Sequence, residues 1–98
     1  MSLPVLIRPD ALEDIRVCHD GYELLQKYLG SLFVDKVQEV LERIEETPFL
    51  YAVVWENVRA ARVRKFPYIV YYVAKDERVE VIAVLHGSLD EPEWRKRT

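Results

Sequence analysis

With 98 residues, half of them apolar and 32% charged, the chain has the size of one small domain and enough apolar side chains for a core, which excludes an intrinsically disordered protein. A net charge of -3 argues against indiscriminate nucleic-acid binding. The lone cysteine, Cys18, excludes an internal disulfide framework and fits a reducing, cytoplasmic setting.

The opening Met-Ser-Leu-Pro-Val-Leu-Ile-Arg-Pro holds too short an apolar run for a signal peptide, and no run approaches the ~20 apolar residues of a membrane helix. The charge is unevenly distributed. Pro9–Glu46 carries a net -6, whereas the chain from Thr47 onward carries +2. A local basic patch therefore remains effective, because charges are screened over only about 8 Å at physiological salt.

Leu3, Val5 and Ile7 alternate and predict a short first strand, confined to a sheet edge or irregular at its start by Pro4. A helix then opens at Arg8-Pro9-Asp10. Asp10 and Glu13 have capping-box spacing, and the alternative start places Pro9 at the first helical position. Leu12, Ile15, Cys18, Tyr22, Leu25 and Leu29 recur every three or four residues and predict its apolar face. Cys18 falls on that face and reads as inert core. Gly21 is a candidate interruption, and Gly30-Ser31 reads as the break before a second helix, with Ser31 as its N-cap.

Phe33, Val37, Val40, Leu41 and Ile44 form the stripe of that second helix, with Glu39 and Arg43 spaced for an exposed ion pair. Thr47-Pro48 ends it, since the residue before proline is pushed out of helical geometry. So short a break between helices predicts a hairpin. Ala52–Trp55 reads as a short strand or extended loop. Val58–Arg64 reads as a strand with Ala61 and Val63 on one face and Arg62 and Arg64 on the other. After the bend at Phe66-Pro67, Tyr68–Ala74 and Val79–Leu85 are strongly β-prone and are joined by the polar turn Lys75–Arg78. Val79–Leu85 is apolar on both faces apart from Glu80, which suits a central strand. Asp90–Arg97 reads as a short helix or tail around Trp94. The expected fold is α+β, a single domain over residues 1–98 of order β-α-α-β-β-β. It is an antiparallel sheet with the helical hairpin packed on one face.

Chemistry concentrates near the strands. Alternation places His86 on one face with Ile82 and Val84, and Arg62 with Arg64. If those faces converge, guanidinium forks for phosphate, an imidazole for proton transfer and tyrosines for stacking share one side. That set suits metal-independent RNA cleavage, in which a 2′-hydroxyl attacks its own phosphate. The same cations also suit an acidic partner, or form an ordinary solvated face. No glycine-rich phosphate loop, zinc-ligand spacing or nucleophile elbow is present, so no cofactor or metal is expected.

Several segments resemble the RelE/ParE superfamily of type II toxin–antitoxin systems over nearly the whole chain. Ala11-Leu12-Glu13-Asp14-Ile15 is similar to its opening Ala-x-x-Asp-Ile/Leu helix, and Phe33 through Pro48 to its second helix. The strongest likeness is Val58-Arg59, then Arg64-Lys65-Phe66-Pro67-Tyr68-x-Val70-Tyr71-Tyr72, then Val81-Ile82-Ala83-Val84-Leu85-His86-Gly87-Ser88, Asp90 and Trp94 through Arg97. The resemblance implies a toxin neutralised by a cognate antitoxin, in systems associated with plasmid stabilisation. ParE-like members inhibit DNA gyrase; RelE-like members cut messenger RNA on the ribosome. A toxin kept only as an antitoxin-binding module is a third possibility.

By position, Arg62 stands roughly where RelE-like enzymes place a catalytic lysine. The enzyme candidates are Arg62, Arg64, His86 and one tyrosine among Tyr68, Tyr71 and Tyr72, with Tyr71 preferred. Arg59, Lys65, Tyr68, Arg95 and Arg97 are candidates for partner or nucleic-acid binding. The chain departs from the RelE pattern at Ile69 and Leu89, where basic residues are usual, and that favours the ParE-like reading.

Overall fold

Why the chain folds as it does is clearest from its apolar stripes. The computed structural model describes residues 2–88 and 93–97. β1 (Val5–Ile7) is followed by the helices α1 (Pro9–Leu25) and α2 (Leu29–Glu46), then by β2 (Val53–Trp55), β3 (Val58–Arg62), β4 (Tyr68–Ala74) and β5 (Val79–His86). A 3-10 turn, Glu93–Arg97, follows. The readings for Leu89, Asp90 and the Trp94 side chain lie outside the described residues.

The strands form one sheet of order β1-β5-β4-β3-β2. β2 through β5 form an antiparallel meander, as expected in its direction but with one strand more than the expected three, because Val53–Trp55, open between strand and loop, pairs with β3. β1 departs from that expectation, because it pairs parallel with β5 and makes the sheet mixed. Its three residues reach only Val79–Val81 of the longer strand. Pro4, which has no N–H to give, precedes it at the edge and accepts from the Val79 N–H at 2.8 Å.

One face of the sheet is covered by the hairpin. All five stripe residues of α2, Phe33, Val37, Val40, Leu41 and Ile44, are buried there. The α1 face differs from the sequence reading. Ala11 is fully buried and Ile15, Cys18 and Tyr22 are half-buried, whereas Leu12 and Leu25 are 57% and 78% exposed. The small Ala11, close to the Pro9 start, lets the helix approach the sheet and rotates Leu12 outward. The opposite face carries a smaller cluster, Val58, Val73, Ile82 and Ala83, with Trp55, Tyr71 and Leu85 at its rim. The Glu93–Arg97 turn packs against β5.

The helix break also lies elsewhere than expected. α1 runs through Gly21 and ends at Leu25, and Tyr28 turns the chain in left-handed backbone geometry (φ 71°). Ser31 is inside α2 and caps nothing. Glu23 does that work from the preceding helix, accepting from the N–H groups of Tyr28 at 2.8 Å and Gly30 at 3.0 Å. Gly30 is needed for contact, since a Cβ there would sit 2.5 Å from the His19 carbonyl oxygen. Glu39 pairs with Lys36 at 2.9 Å and lies 3.9 Å from Arg64, rather than pairing with Arg43.

The two helical glycines should therefore respond oppositely to alanine. Gly30→Ala forces the helices apart and is expected to cost about 1–3 kcal/mol. Gly21→Ala meets nothing within 4 Å and is expected to stabilise by about 0.5–1 kcal/mol. Denaturant titration of both variants checks the pair.

Candidate functional site

The basic groups gather at the end of the sheet where β3 turns into β4. Arg62 closes β3, and residues 63–67 form the turn. The turn is fixed from several sides. Val63 and Phe66 are buried, and the Phe66 ring lies 4.9 Å from that of Tyr22 and 5.2 Å from that of Phe33. The Val63 N–H donates to the Tyr68 carbonyl at 3.0 Å, and the Gly87 N–H to the Pro67 carbonyl at 2.9 Å. Lys65 is held at φ 70°, a conformation rare for a residue with a side chain. Arg62, Arg64 and Lys65 are all exposed around a shallow cavity of about 450 Å³. Arg64 has only the distant Glu39; Arg62 and Lys65 have no acidic partner within 4 Å among the described residues.

His86 ends β5, directly opposite Tyr68 in the register, with ring centroids 5.4 Å apart. Its Nδ1 accepts from the Ser88 N–H at 3.1 Å and lies 2.7 Å from the Ser88 hydroxyl, which leaves Nε2 to carry the ring proton. Tyr68 packs on Phe33 and is pushed up to about 12 by burial, with its contact to Cys18 adding to the rise. Burial also raises the Cys18 thiol, so it remains protonated and inert at neutral pH.

His86 and Arg62 do not converge. β5 carries a bulge: Tyr72 pairs with Val81 but Tyr71 pairs with Ala83, so Ile82 is an extra residue. Side-chain parity reverses there. Glu80 and Ile82 point away from the helices, whereas Val84 and His86 point toward them with Val70 and Tyr68. Arg62 pairs with Ile69 on the side away from the helices. Tyr71 lies on that side as well, at the rim of the smaller cluster. His86 therefore shares a face with Val84 but not with Ile82, and the imidazole and the Arg62 guanidinium lie on opposite faces of the sheet.

The other candidates are engaged internally. Arg59 donates to the carbonyls of Phe49 at 3.2 Å and Tyr51 at 2.6 Å and lies 5.2 Å over the Phe49 ring, fixing the loop after α2. Tyr72 is fully buried, donates to the Pro48 carbonyl at 2.8 Å and is pushed up to about 12 by burial. Arg95 lies 5.1 Å over the Trp55 ring. Arg97 donates to Asp14 at 2.6 Å and to the Ile82 carbonyl at 3.2 Å.

Sequence reasoning took Asp14 for an ordinary helix-start acid and Glu80 for the one polar residue of its strand, although both organise this architecture. Glu80 is almost fully buried and accepts from Arg8 at 2.7 and 2.9 Å and from Arg78 at 2.7 Å, with Lys75 at 3.1 Å. The Arg8 bonds first, then those of Arg78 and Lys75, hold its carboxyl down at about 2. A single carboxylate in an otherwise apolar strand was the available signal. Asp14 accepts the Val84 N–H at 3.0 Å as well as Arg97. Among the described residues no cluster of three His, Cys, Asp or Glu side chains is placed to hold a metal, and no helix is long and apolar enough to cross a membrane.

A helical hairpin against this five-stranded sheet is the α+β architecture that the resemblance to the RelE/ParE superfamily implied. The profile of the family described as "ParE toxin of type II toxin-antitoxin system, parDE" matches residues 5–91, and the chain belongs to that family. Toxin ParE2 of Mycobacterium tuberculosis, from strains CDC 1551 / Oshkosh and ATCC 25618 / H37Rv, is 37% identical over 59 residues, 60% of this chain. That match spans 53%, about half the length, of those relatives. The fold is similar to a structure described as the chromosomal ParDE TA system from P. aeruginosa, with TM-score 0.77 and 13% identity over 87% of this chain and 96% of that one. It is also similar to the YoeB dimer from Staphylococcus aureus, with TM-score 0.58 and 16% identity over 85% and 94% of the two chains.

Glu80→Gln should cost about 2 kcal/mol at pH 7, since it removes the charge that three cations share. The sign of its pH dependence follows from the lowered carboxyl. The stabilisation is complete above the ordinary value of 4.5 and is lost as pH falls toward about 2. Urea titrations from pH 7 downward should show the gap between wild type and Glu80→Gln closing across that window.

Proposed function

We propose that the chain is a ParE-like toxin that arrests growth by binding its target, DNA gyrase, in the cytoplasm, and that a cognate antitoxin neutralises it. The observation that supports binding over RNA cleavage is the separation of His86 from Arg62 across the sheet. General acid–base catalysis needs the proton-transfer group within hydrogen-bond reach of the reacting atoms. Charge stabilisation needs preorganised donors around the same atoms. A phosphate held by Arg62 is screened from the imidazole by the sheet itself. Ile69 beside Arg62 supplies neither charge nor a hydrogen bond.

The antitoxin reading is supported by the family and by exposed apolar side chains on the hairpin. Leu24 and Leu25 are 89% and 78% exposed, and Leu12 and Val34 line an open, largely apolar groove with Ile15 and His19. Soluble monomers rarely leave such surface uncovered without a partner for it. An amphipathic antitoxin segment is the expected occupant.

The rival RNase reading rests on the resemblance of the strand segments to RelE-like enzymes. It assigns Arg62, Arg64, His86 and Tyr71 to chemistry. Expression without a partner separates the possibilities. Under the proposal growth stops, gyrase–DNA breaks accumulate, and His86→Ala arrests growth as wild type does. Messages cut in the ribosomal A site, with arrest abolished by His86→Ala, would overturn it in favour of the enzyme. Absence of arrest would leave an antitoxin-binding module.

A further inference from the structure

We propose that the β3–β4 turn is a binding element for the phosphodiester backbone of duplex DNA, so that the toxin touches the DNA its target carries as well as the target protein. The inference rests on the ParE-like reading for its biological setting, and on the turn alone for its chemistry.

The turn presents three cations within four residues, Arg62, Arg64 and Lys65. Elsewhere most cations are occupied: Arg8, Lys75 and Arg78 on Glu80, Lys36 on Glu39, Arg59 on backbone carbonyls, and Arg97 on Asp14. Arg62 and Lys65 lack an acidic partner among the described residues, and Glu39, the nearest acid to Arg64, bonds Lys36 a full ångström more closely. Exposed cations without carboxylates are ready to exchange counterions for phosphates, which is the source of sequence-independent DNA affinity.

The turn is also preorganised. Phe66 anchors it in the aromatic cluster, two backbone hydrogen bonds close its ends, and Lys65 is held in left-handed geometry. Little backbone freedom remains to be lost on binding. The acidic hairpin repels a polyanion, so DNA is steered to this end of the molecule.

Duplex rather than single-stranded nucleic acid follows from the aromatic residues. Single strands are gripped by stacking on exposed rings. At this end Phe66 is buried, and Tyr68 is packed on Phe33, Tyr22 and His86. Among the described residues, neither Phe66 nor Tyr68 offers a free ring face beside the cations. A backbone-only contact of this kind suits the regular phosphate spacing of a duplex.

The test is fluorescence anisotropy with a labelled duplex DNA of unrelated sequence, a single-stranded RNA of equal length and the purified gyrase subunits without DNA. Salt is varied from low to physiological concentration. Wild type is expected to bind the duplex weakly, with log K falling against log salt at a slope of about -2.7 for three contacts. Arg62→Gln and Lys65→Gly should each reduce the slope by about 1 and weaken low-salt binding about fivefold.

Lys65→Gly removes the charge and relieves the positive φ, so its thermal midpoint should hold or rise while binding falls. Lys75→Gln makes the same charge change just beyond the other end of β4 and should leave DNA binding unchanged. No duplex binding at low salt, equal loss in Lys75→Gln, tighter binding to RNA, or loss only toward the isolated gyrase subunits would each overturn the proposal. Duplex binding without gyrase–DNA breaks in cells would sustain it and remove the gyrase reading instead.

Discussion

Strand β5 sets the terms for the rest of the molecule. It is apolar on both faces and sits inside the sheet, so both faces need cover and both edges need hydrogen-bond partners. β4 serves one edge throughout. β1 serves the other only as far as Val81, because the chain leaves the sheet at Arg8 for α1. Beyond that point two side chains replace a strand. Asp14 from α1 takes the Val84 N–H, and Arg97 from the C-terminal turn gives to the Ile82 carbonyl. The same two residues bond each other, so the helix, the strand edge and the C-terminal turn are tied at one place. Arg8 extends the tie by bonding both Glu80 and the Arg97 carbonyl. A charged pair is a costly substitute for a backbone ladder unless every group is bonded, and here the surrounding donors and acceptors meet that condition.

This arrangement explains why a basic residue count is a poor guide to basic surface. The segment from Thr47 onward is cationic by composition. Yet Arg59, Arg95 and Arg97 serve a loop, an indole and a strand edge of the chain itself. The outward basic surface is narrower than the sequence suggested, and three of its cations, Arg62, Arg64 and Lys65, lie together in one turn. The selection is local: arginines next to loops with unsatisfied carbonyls are drawn in, while those on a turn closed by its own backbone bonds stay in solvent.

Much of the fold was legible from periodicity. The α2 stripe and the β4 boundaries emerged as read, since both segments present long, regular patterns with clear terminators at Pro48 and Pro67. The α1 face was read correctly at Ile15, Cys18 and Tyr22 but not at Leu12 and Leu25, and the closest contact belongs to Ala11, whose small size carries no hydrophobic signal. The helix break was placed at Gly30 because glycine usually signals freedom. Here it signals contact, and the positive φ falls on Tyr28. The parallel pairing of β1 is a property of how the chain returns and has no local signature. The candidate site suffered most, since one bulged residue in an unbroken run of apolar side chains leaves the alternation ambiguous.

That single residue has consequences out of proportion to its size. Without Ile82 as an extra member of β5, alternation from Glu80 would carry His86 to the face that holds Arg62 and Tyr71. With it, the imidazole is turned toward Tyr68 and the helical hairpin. The bulge also brings Val84 into the main core and sends Ala83 to the other, so it is fixed by packing on both sides and cannot slip without exposing one of them. Whether Ile82 is bulged or paired therefore decides on which face of this sheet His86 lies relative to Arg62. In this chain the packed arrangement is the separated one, and Arg62 at the end of β3 has no imidazole on its own face of the sheet.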